Sequence, residues 1–477
     1  MSPSRSDAIR IINHVIIFFL MFFFGSLPPV GSLSPLSMQV IGVFAGTIYG
    51  WITVSVGWPS LAGVVALGLT DYYGNFTELF ALAFGSQTII MILVLLMLAA
   101  IFQEANLSEY ILNTLLCRKE TRGKPFLLLF YFLLAGFLAS ILADCLAVLI
   151  LFLSLFREMQ KKLNIEPYSG IIPCFFVGMA FCFVIGDIAV PFKSTSIFSI
   201  ATYQAVTGET VNLMKYTLFM LPMSIACIIF YTLCCKYIFR IDLSPFMHYV
   251  HTEKNTLTPR QRAVLIGVPA VMALLFVPSL LPESWALTAF FNRIGLGSLA
   301  LLLLCLLFII RIKGEPIAEF STMSRYFAWE ALFCTVFLIP AATAISSDAV
   351  GIKSILASLA STVFQSVPML LLIVTLVLLP ALITNFANNL VISAIFVSVI
   401  GSMGDALPYS PLIMACLVIM GSNISCFFPA ANPMNAFLFA QKDIVSFRQE
   451  FSFGLKTLCL QTIFIAVVGY LWGSLIF

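Results

Sequence analysis

The sequence predicts an all-α polytopic membrane protein, and its composition and its apolar patterning both lead to that fold class. Of the 477 residues, 61% are hydrophobic and only 9% are charged, whereas soluble domains carry about a quarter charged residues. Apolar runs close to the roughly 20 residues of a spanning helix alternate with short polar loops along the chain. The net charge of +3 is too small to indicate a nucleic-acid partner.

The reactive side chains argue against an enzyme. The 12 cysteines lie mostly in apolar runs, where cysteine behaves as a small hydrophobic residue, and only 3 histidines are present. An integral-membrane enzyme would need a nucleophile, an acid–base pair or a metal at one membrane face, and the loops offer none. The first apolar run is followed by Pro28 and Pro29 rather than by small residues, so we expect no cleavable signal.

Three of the apolar runs are too long for one span. The runs lie at 11–35, 36–52, 55–70, 86–103, 126–155, 171–202, 214–239, 263–281, 295–310, 327–345, 366–400, 409–440 and 457–477. Those at 126–155, 366–400 and 409–440 carry polar residues or prolines midway. Secondary transporters use such broken segments to place irregular backbone around a cavity at membrane depth.

Basic residues predict the orientation. Lysines and arginines concentrate in the loops around 118–124, 157–162, 236–262, 311–325 and 442–448. The alternate loops hold only Lys215, Arg293 and Lys353, so the basic loops are expected to be cytoplasmic. For these loops to share one side, 126–155 and 366–400 must be re-entrant hairpins. The expectation is eleven spans in the plasma (inner) membrane, a cytoplasmic N-terminus and a C-terminus outside.

The order of these features repeats. A hairpin with its polar tip at 143–145 precedes a broken helix at 186–195, and a second tip at 384–389 precedes a second broken helix at 429–435. An odd number of spans per repeat inverts the second copy and places a binding site between the two. The predicted divisions are scaffold helices at 1–125, a first transport half at 126–205, connecting scaffold helices at 206–365, a second transport half at 366–445 and a C-terminal helix at 446–477.

The tips and broken helices resemble those of the divalent anion/sodium symporter family, the INDY-type carriers of solute carrier family 13. Residues 329–333, 388–390 and 428–436 carry the resemblance, which is strongest over 325–445. The first half matches in layout only, with 143–145 at the tip. The resemblance implies a homodimeric elevator carrier with scaffold and transport domains, which moves small organic dianions such as C4-dicarboxylates with a coupling cation.

The resemblance places a sodium ion in the second half. The matching positions for its oxygen ligands are Thr384, Ala387, Asn389 and Ala431, the alanines through their carbonyls. A hard cation needs such oxygens, and an unwound helix supplies carbonyls without a buried carboxylate. The alternative is that the asparagines at this tip merely cap the hairpin helices.

The first half departs from the family. Asp144, Asp187 and Lys193 are the charged residues deepest within apolar segments, where charges usually pair with one another. Lys193 stands where the family has a glycine, and its ammonium could replace the first sodium ion. Alternatively, Asp144 or Asp187 binds a proton. A third interpretation is a static buried salt bridge.

The anion is expected between the two tips and the two broken helices. The predicted substrate-binding residues are Asp144, Cys145, Ser194, Thr195, Asn388, Asn389, Asn432 and Pro433. No cofactor is expected beyond a sodium ion at one site or a proton. The main alternative is a proton-linked antiporter or anion exchanger of the wider ion-transporter superfamily. A channel is less favoured, because paired broken helices and hairpins are typical of alternating access.

Overall fold

A computed structural model describes residues 5–29, 31, 33–251, 256–280, 285–312, 314–347, 349–351, 368–404 and 410–477. Lys353 and the first two positions of the second predicted hairpin, 366–367, lie outside the described residues. Within them the fold is that of an all-α polytopic membrane protein, as the sequence predicts. The described helices are α1 (Arg5–Phe22), α2 (Pro35–Thr53), α3 (Gly57–Gly68), α4 (Phe76–Gly85), α5 (Gln87–Ala105), α6 (Ser108–Leu116), α7 (Pro125–Leu142), α8 (Cys145–Lys162), α9 (Ile171–Val184), α10 (Ser194–Thr207), α11 (Leu213–Leu233), α12 (Pro259–Leu280), α13 (Ala286–Ile309), α14 (Phe320–Met323), α15 (Trp329–Ser346), α16 (Met369–Ile383), α17 (Asn389–Met403), α18 (Pro411–Ser422), α19 (Pro433–Phe439), α20 (Phe447–Phe464) and α21 (Tyr470–Ile476).

Some of the described helices are long enough to cross a lipid bilayer. Five described stretches are long and apolar enough to cross a membrane, and they are Pro35–Thr53, Phe76–Ala105, Pro125–Leu142, Leu213–Ile238 and Phe447–Ile476. Shorter apolar helices of 10–17 residues accompany them. The number of eleven spans and the re-entrant insertion of the hairpins stay predictions.

Each hairpin turns at a polar residue that caps its second arm. In the first, Asp144 Oδ1 accepts hydrogen bonds from the backbone N–H groups of Leu146 and Ala147, both at 3.0 Å. In the second, Asn388 Oδ1 accepts one from Leu390 N at 2.9 Å. Asp and Asn are favoured at this position because their side chains satisfy backbone donors that the helix leaves unpaired. Both tips are therefore fixed by local chemistry at the predicted places.

Each broken helix unwinds between two helical segments. α9 leads through a short 3₁₀ turn, Ile185–Asp187, to the start of α10. α18 ends at Ser422, and α19 begins at Pro433, where a proline suits the first helical position. The unwound segments are 185–193 and 423–432, and the second one starts earlier than the Pro429 at which the sequence predicts it.

The two halves of the repeat contact each other directly. α10 of the first half packs against α17 of the second, where Ser199 Oγ lies 3.1 Å from Ser393 Oγ. Ser422 at the end of α18 donates to Ser393 Oγ at 2.9 Å. At one end, Arg157 of α8 holds Asp443 in an ion pair at 2.8 Å, and the guanidinium lowers the pKa of that carboxyl. The halves thus form one packed unit.

Three features differ from the sequence expectation. α20 begins at Phe447, ten residues before the apolar run at 457, because Ser446 and Gln449 form a capping box at its start. The run at 295–310 belongs to α13, which kinks at Gly295 with φ of 74°. A short antiparallel pair of strands, β1 (Arg311–Ile312) and β2 (Glu315–Pro316), lies in a predicted cytoplasmic loop.

Candidate functional site

The predicted substrate residues meet in one cavity of about 320 Å³ between the two halves. Its size lies at the lower end of the range for small-ligand sites. The predicted residues that line it are Asp144, Cys145, Ser194, Thr195, Asn388, Asn389, Asn432 and Pro433. Of the predicted sodium ligands, Asn389 and Ala431 also line the cavity, whereas Thr384 and Ala387 are not among its lining residues.

Helix N-termini converge on this cavity. The lining residues Cys145, Ser194, Asn389 and Pro433 are the first residues of α8, α10, α17 and α19. The first three of these helices contain 18, 14 and 15 residues. The N-terminus of a helix carries a partial positive charge and unpaired N–H groups, so it favours anions. The cavity therefore suits a small anion although no arginine lines it.

In the second half, Ser425 joins the tip to the start of α19. Its hydroxyl oxygen accepts hydrogen bonds from Asn389 Nδ2 and Asn432 Nδ2, both at 2.8 Å. Its carbonyl accepts one from Asn435 Nδ2 at 3.1 Å. Ser425 is fully buried. We call Asn389, Ser425, Asn432 and Asn435 the second-half network.

Asn385 fastens the same tip to the unwound backbone. Its side chain is fully buried, and Oδ1 accepts hydrogen bonds from Cys426 N at 3.0 Å and Phe427 N at 3.1 Å. Its Nδ2 donates to the carbonyls of Ala381 at 2.7 Å and Ile424 at 3.0 Å. Ile424, Cys426 and Phe427 belong to the unwound segment, whose backbone groups lack helical partners, whereas Ala381 lies in α16. Asn385 therefore does more than cap a helix.

In the first half, a buried ion pair takes the corresponding place. Lys193 Nζ lies 3.1 Å from Asp187 Oδ1 and donates to the carbonyl of Ala143, at the tip, at 2.8 Å. Cys145 Sγ lies 3.6 Å from Asp187 Oδ1, and Ser196 Oγ donates to the carbonyl of Asp187 at 3.0 Å. We call Cys145, Asp187, Lys193 and Ser196 the first-half network.

The two networks are equivalent position by position. Cys145 and Asn389 each begin the second arm of a hairpin, and each contacts a residue of the unwound segment, Asp187 or Ser425. Lys193 and Asn432 each precede the first residue of the next helix and contact that same residue. Three positions later, Ser196 and Asn435 each bond its carbonyl. The same contacts are charged in the first half and neutral in the second.

Asp144 corrects one expectation. The sequence favours a mutual cluster of Asp144, Asp187 and Lys193, but among the described residues only Asp187 forms an ion pair with Lys193. The Asp144 carboxylate instead caps α8 and is exposed in the cavity. Capping directs the Asp144 carboxylate at the first backbone N–H groups of α8, while its charge still acts on the Lys193 ammonium from outside ion-pair distance. Asp144 and Asp187 together carry one negative charge more than Lys193 balances.

The second half has the donor chemistry for a hard cation. Thr384 Oγ1 donates to Asn389 Oδ1 at 2.8 Å, so two of the predicted ligand oxygens lie side by side at the tip. Asn435 Oδ1 is buried and has no hydrogen-bond partner among the described residues. A buried acceptor without a donor is costly, and a cation bound nearby would compensate it. All of these atoms are uncharged oxygens, which suits Na⁺.

Sequence reasoning missed Ser425 and Asn423, which lies beside it and lines the cavity. The available signal was the polar stretch at 421–425 inside an otherwise apolar helix. Polar groups at membrane depth are rare unless they contact one another or a ligand. The prolines at 429 and 433 predict a break at 429–435, whereas the helix already ends at Ser422.

Comparison with known proteins places this architecture in a family. The sequence model of the CitMHS family, described as citrate transporter, matches residues 48–309, which is more than half of the chain. The chain belongs to the citrate transporter family. Its members are transporters and not enzymes, in agreement with the sequence analysis. In this citrate transporter family member, the residues matched by the family model include the first hairpin and the first broken helix. The second-half network lies outside the matched residues.

Two individual proteins are also similar to this chain. An uncharacterized transporter of Caenorhabditis elegans is 26% identical over 136 residues, which are 28% of this chain and 23% of that protein. The chain therefore aligns with less than a quarter of that relative. The crystal structure of the YdaH transporter of Alcanivorax borkumensis, described as having an unusual topology, superposes with a TM-score of 0.55 at 14% identity. That likeness covers 86% of this chain and 90% of YdaH, and it shows the fold.

Proposed function

We propose that this protein is a secondary active carrier of small organic anions with two or three carboxylates, such as succinate or citrate. The observation that carries the proposal is the convergence of helix N-termini from both halves on one polar cavity. The citrate transporter family and the resemblance to dicarboxylate carriers support the same substrate class. The amide groups of Asn388 and Asn432 would orient the carboxylates.

The charge balance of the cavity calls for a cation with the anion. Asp144 and Asp187 contribute two negative charges and Lys193 one positive charge, so these three groups of the first half leave one net negative charge at the cavity. Repulsion between this charge and a carboxylate is strong where water is scarce. A cation that enters with the substrate removes this penalty, which is the physical basis of the proposed coupling.

The coupling cation is proposed to bind in the second half. Thr384 and Asn389 would supply side-chain oxygens, Ala387 and Ala431 backbone carbonyls, and Asn435 its unpartnered Oδ1. The equivalent place in the first half is beside the carbonyl of Ala143, and the Lys193 ammonium already fills it. We therefore infer a built-in cation in the first half and a mobile one in the second.

The remaining parts of the proposal follow the family resemblance. The two halves would move together as a transport domain against a dimeric scaffold, in an elevator motion. The carrier would lie in the plasma (inner) membrane with its N-terminus in the cytoplasm. Direct packing of α10 on α17 supports the joint movement of the halves, because it ties them into one unit.

A proton-linked antiporter or exchanger is the second candidate. The observation that favours it is the exposed Asp144 carboxylate, which has no ion-pair partner among the described residues. A proton on this group would neutralise the first half without sodium. Under this alternative, uptake would depend on the pH gradient and exchange would run without sodium.

The test is uptake of radiolabelled succinate and citrate by the purified protein in proteoliposomes. Each anion would be offered with a sodium gradient, with a pH gradient and with neither. The proposal expects uptake of at least one anion that is stimulated by sodium and reduced in Asn389→Ala and Asn432→Ala. Failure to transport either anion under all gradients would contradict the proposed substrate class, and stimulation by the pH gradient alone would favour the second candidate.

A further inference from the structure

A row of buried polar side chains without partners runs along one face of α20. Glu450 Oε2, Thr457 Oγ1 and Gln461 Oε1 are buried and have no hydrogen-bond partner within the described part of the chain. Ser224 Oγ on α11 is also buried and has no hydrogen-bond partner among the described residues. Gln461 Nε2 donates to the carbonyl of Cys227, one turn from Ser224, so α11 faces this row. We call Glu450, Thr457, Gln461 and Ser224 the polar seam.

The seam is a single stripe on the helix. At about 100° per residue, positions 450, 457 and 461 fall within roughly 40° of one another. Thr457 also departs from the usual behaviour of buried helical threonines. Thr202, Thr232 and Thr335 each donate to the carbonyl four residues earlier, at 2.8–2.9 Å. The Thr457 hydroxyl makes no such bond and is available to another partner.

The spacing distinguishes between two kinds of occupant. With a rise of about 1.5 Å per residue, Glu450 and Thr457 are about 10 Å apart along the axis, and Thr457 and Gln461 about 6 Å. Oxygens of one metal shell lie within roughly 5 Å of each other, so Glu450 is too far along the axis from Thr457 and Gln461 for all three to share an ion. One water molecule bridges polar atoms about 5.5 Å apart, so the shorter gap suits a single water molecule and the longer gap a chain of two or three.

Glu450 is the only ionisable member of the seam. It is 2% exposed, and no ion pair within the described residues includes it. The titratable or charged side chains on α20 and on the segments packed against it are Arg448, Lys456 and Cys459 of α20, Tyr168 before α9, Cys174 and Cys182 of α9, Lys215, Tyr216, Cys227 and Tyr231 of α11, Cys234, Cys235, Lys236, Tyr237 and Arg240 after α11, and Cys426 of the unwound segment. α16 carries none. None of these groups is hydrogen-bonded to Glu450 Oε2, so an ionised carboxylate would have no ion-pair partner among the described residues and would be stabilised there mainly by the partial positive charge of the α20 N-terminus.

The seam adjoins the proposed transport site. Gly454, one turn from Glu450, packs so closely on the second unwound segment that an added Cβ would lie 2.4 Å from the carbonyl of Cys426. Cys426 N and Phe427 N are the groups that Asn385 of the second tip binds. A change of charge at Glu450 would therefore act next to the backbone that holds the second tip.

From these observations we propose that Glu450 is a proton-binding residue of the transport cycle, reached by protons through water held along the polar seam. Protonation converts the Glu450 carboxylate to a neutral acid, with the proton on Oε2. The role in transport rests on the proposed function, whereas the protonation itself does not. The carrier would then move a proton in addition to the cation of the second half.

The protonation is tested without transport. Infrared difference spectra of the purified wild-type protein between acidic and alkaline pH should contain the carbonyl band of a buried carboxylic acid. That band should be lost in Glu450→Gln and kept in Glu158→Gln, whose carboxylate lies on the surface of α8. A band unchanged in Glu450→Gln would overturn the proposal.

The access route is tested on the same band. Exchange of the Glu450 carboxyl proton for deuterium in D₂O should be slower in Thr457→Val than in the wild-type protein. It should not be slower in Thr232→Val, because the wild-type Thr232 hydroxyl is already bonded to its own helix. An equal exchange rate in both variants would overturn the seam as the route. This measurement also keeps the proposal testable if Glu450→Gln does not fold.

The role in coupling is tested by two transport assays on Glu450→Gln in proteoliposomes. Net uptake driven by a pH gradient should be lost, whereas counterflow of labelled against unlabelled anion should persist, because glutamine mimics the protonated acid. Net uptake at the wild-type rate would overturn the role. Absence of counterflow in the wild-type protein would instead contradict the proposed substrate class and leave the infrared result to decide on Glu450.

Discussion

The Ser425 hydroxyl accepts hydrogen bonds from the side-chain amides of Asn389 and Asn432 and so joins the second tip to α19. Removal of this hydroxyl should separate the two elements. We expect Ser425→Ala to abolish or strongly reduce anion uptake, because Asn389 and Asn432 lose their common acceptor at the cavity wall. The matched control is Ser402→Ala, since Ser402 is also buried but donates only to its own helix. Uptake by Ser425→Ala at the Ser402→Ala rate would contradict the role of the network.

Asn385 makes four hydrogen bonds to backbone groups, three of them at the second break, so it should matter for stability. Asn385→Ala leaves buried backbone donors unpaired and should lower the free energy of unfolding by about 3 kcal/mol. Asn388→Ala, which removes one exposed cap, should cost about 1 kcal/mol. Denaturation in detergent, followed by tryptophan fluorescence, would compare the two. Equal losses would show that Asn385 is only a cap.

At the residue scale, the sequence predicted the cavity residues better than their contacts. The tips and the start of α19 were predictable because Asp, Asn and Pro have strong positional preferences at helix ends. The partner of Lys193 was predicted only in part, since Asp144 and Asp187 both lie deep within apolar segments and either carboxylate could pair with the ammonium. The choice between them depends on the direction of each carboxylate, which only the folded backbone sets.

Among the elements, α20 lies against the second unwound segment through Gly454. An added methyl group would meet the Cys426 carbonyl at 2.4 Å, and backbone cannot yield as a side chain can. We expect Gly454→Ala to lower the melting temperature and the uptake rate. The control is Gly85→Ala at the end of α4, where an added Cβ meets nothing within 4 Å. A Gly454→Ala protein as stable and active as this control would show that the contact is not maintained in the membrane.

The elements themselves were predictable to different degrees. The apolar runs marked most helices, since a lipid-facing helix must be apolar over its whole length. The start of α20 was missed because Arg448, Gln449 and Glu450 interrupt the apolar pattern. The capping box at Ser446 starts the helix there although these residues are polar, and Glu450 is buried. The polar residues that hid the start of α20 thus include the Glu450 of the polar seam.

For the whole molecule, the basic loops predict a cytoplasmic loop at 118–124 and a C-terminus outside. We expect alkaline phosphatase fused after Phe477 to be active in bacterial cells, and green fluorescent protein at the same place to be dark. The reverse pattern, with fluorescence from the C-terminal fusion, would overturn the eleven-span topology. Fusions after Gly123 serve as the internal reference, with the opposite expectation.

The central claim for the whole molecule is that the first half carries a built-in cation and the second half binds a mobile one. The equivalence of the networks offers a direct variant, since Asp187→Ser combined with Lys193→Asn gives the first half the residues of Ser425 and Asn432. Replacement of a buried ion pair by neutral groups at both positions avoids an isolated charge, so the double variant should fold.

The measurement is the initial rate of anion uptake as a function of sodium concentration, for the wild-type protein and this double variant in proteoliposomes. The account predicts a hyperbolic, single-ion dependence for the wild-type protein. It predicts a sigmoidal dependence for the double variant, in which a second mobile cation takes the place of the Lys193 ammonium. A sigmoidal, multi-ion dependence that is the same in both proteins would contradict it.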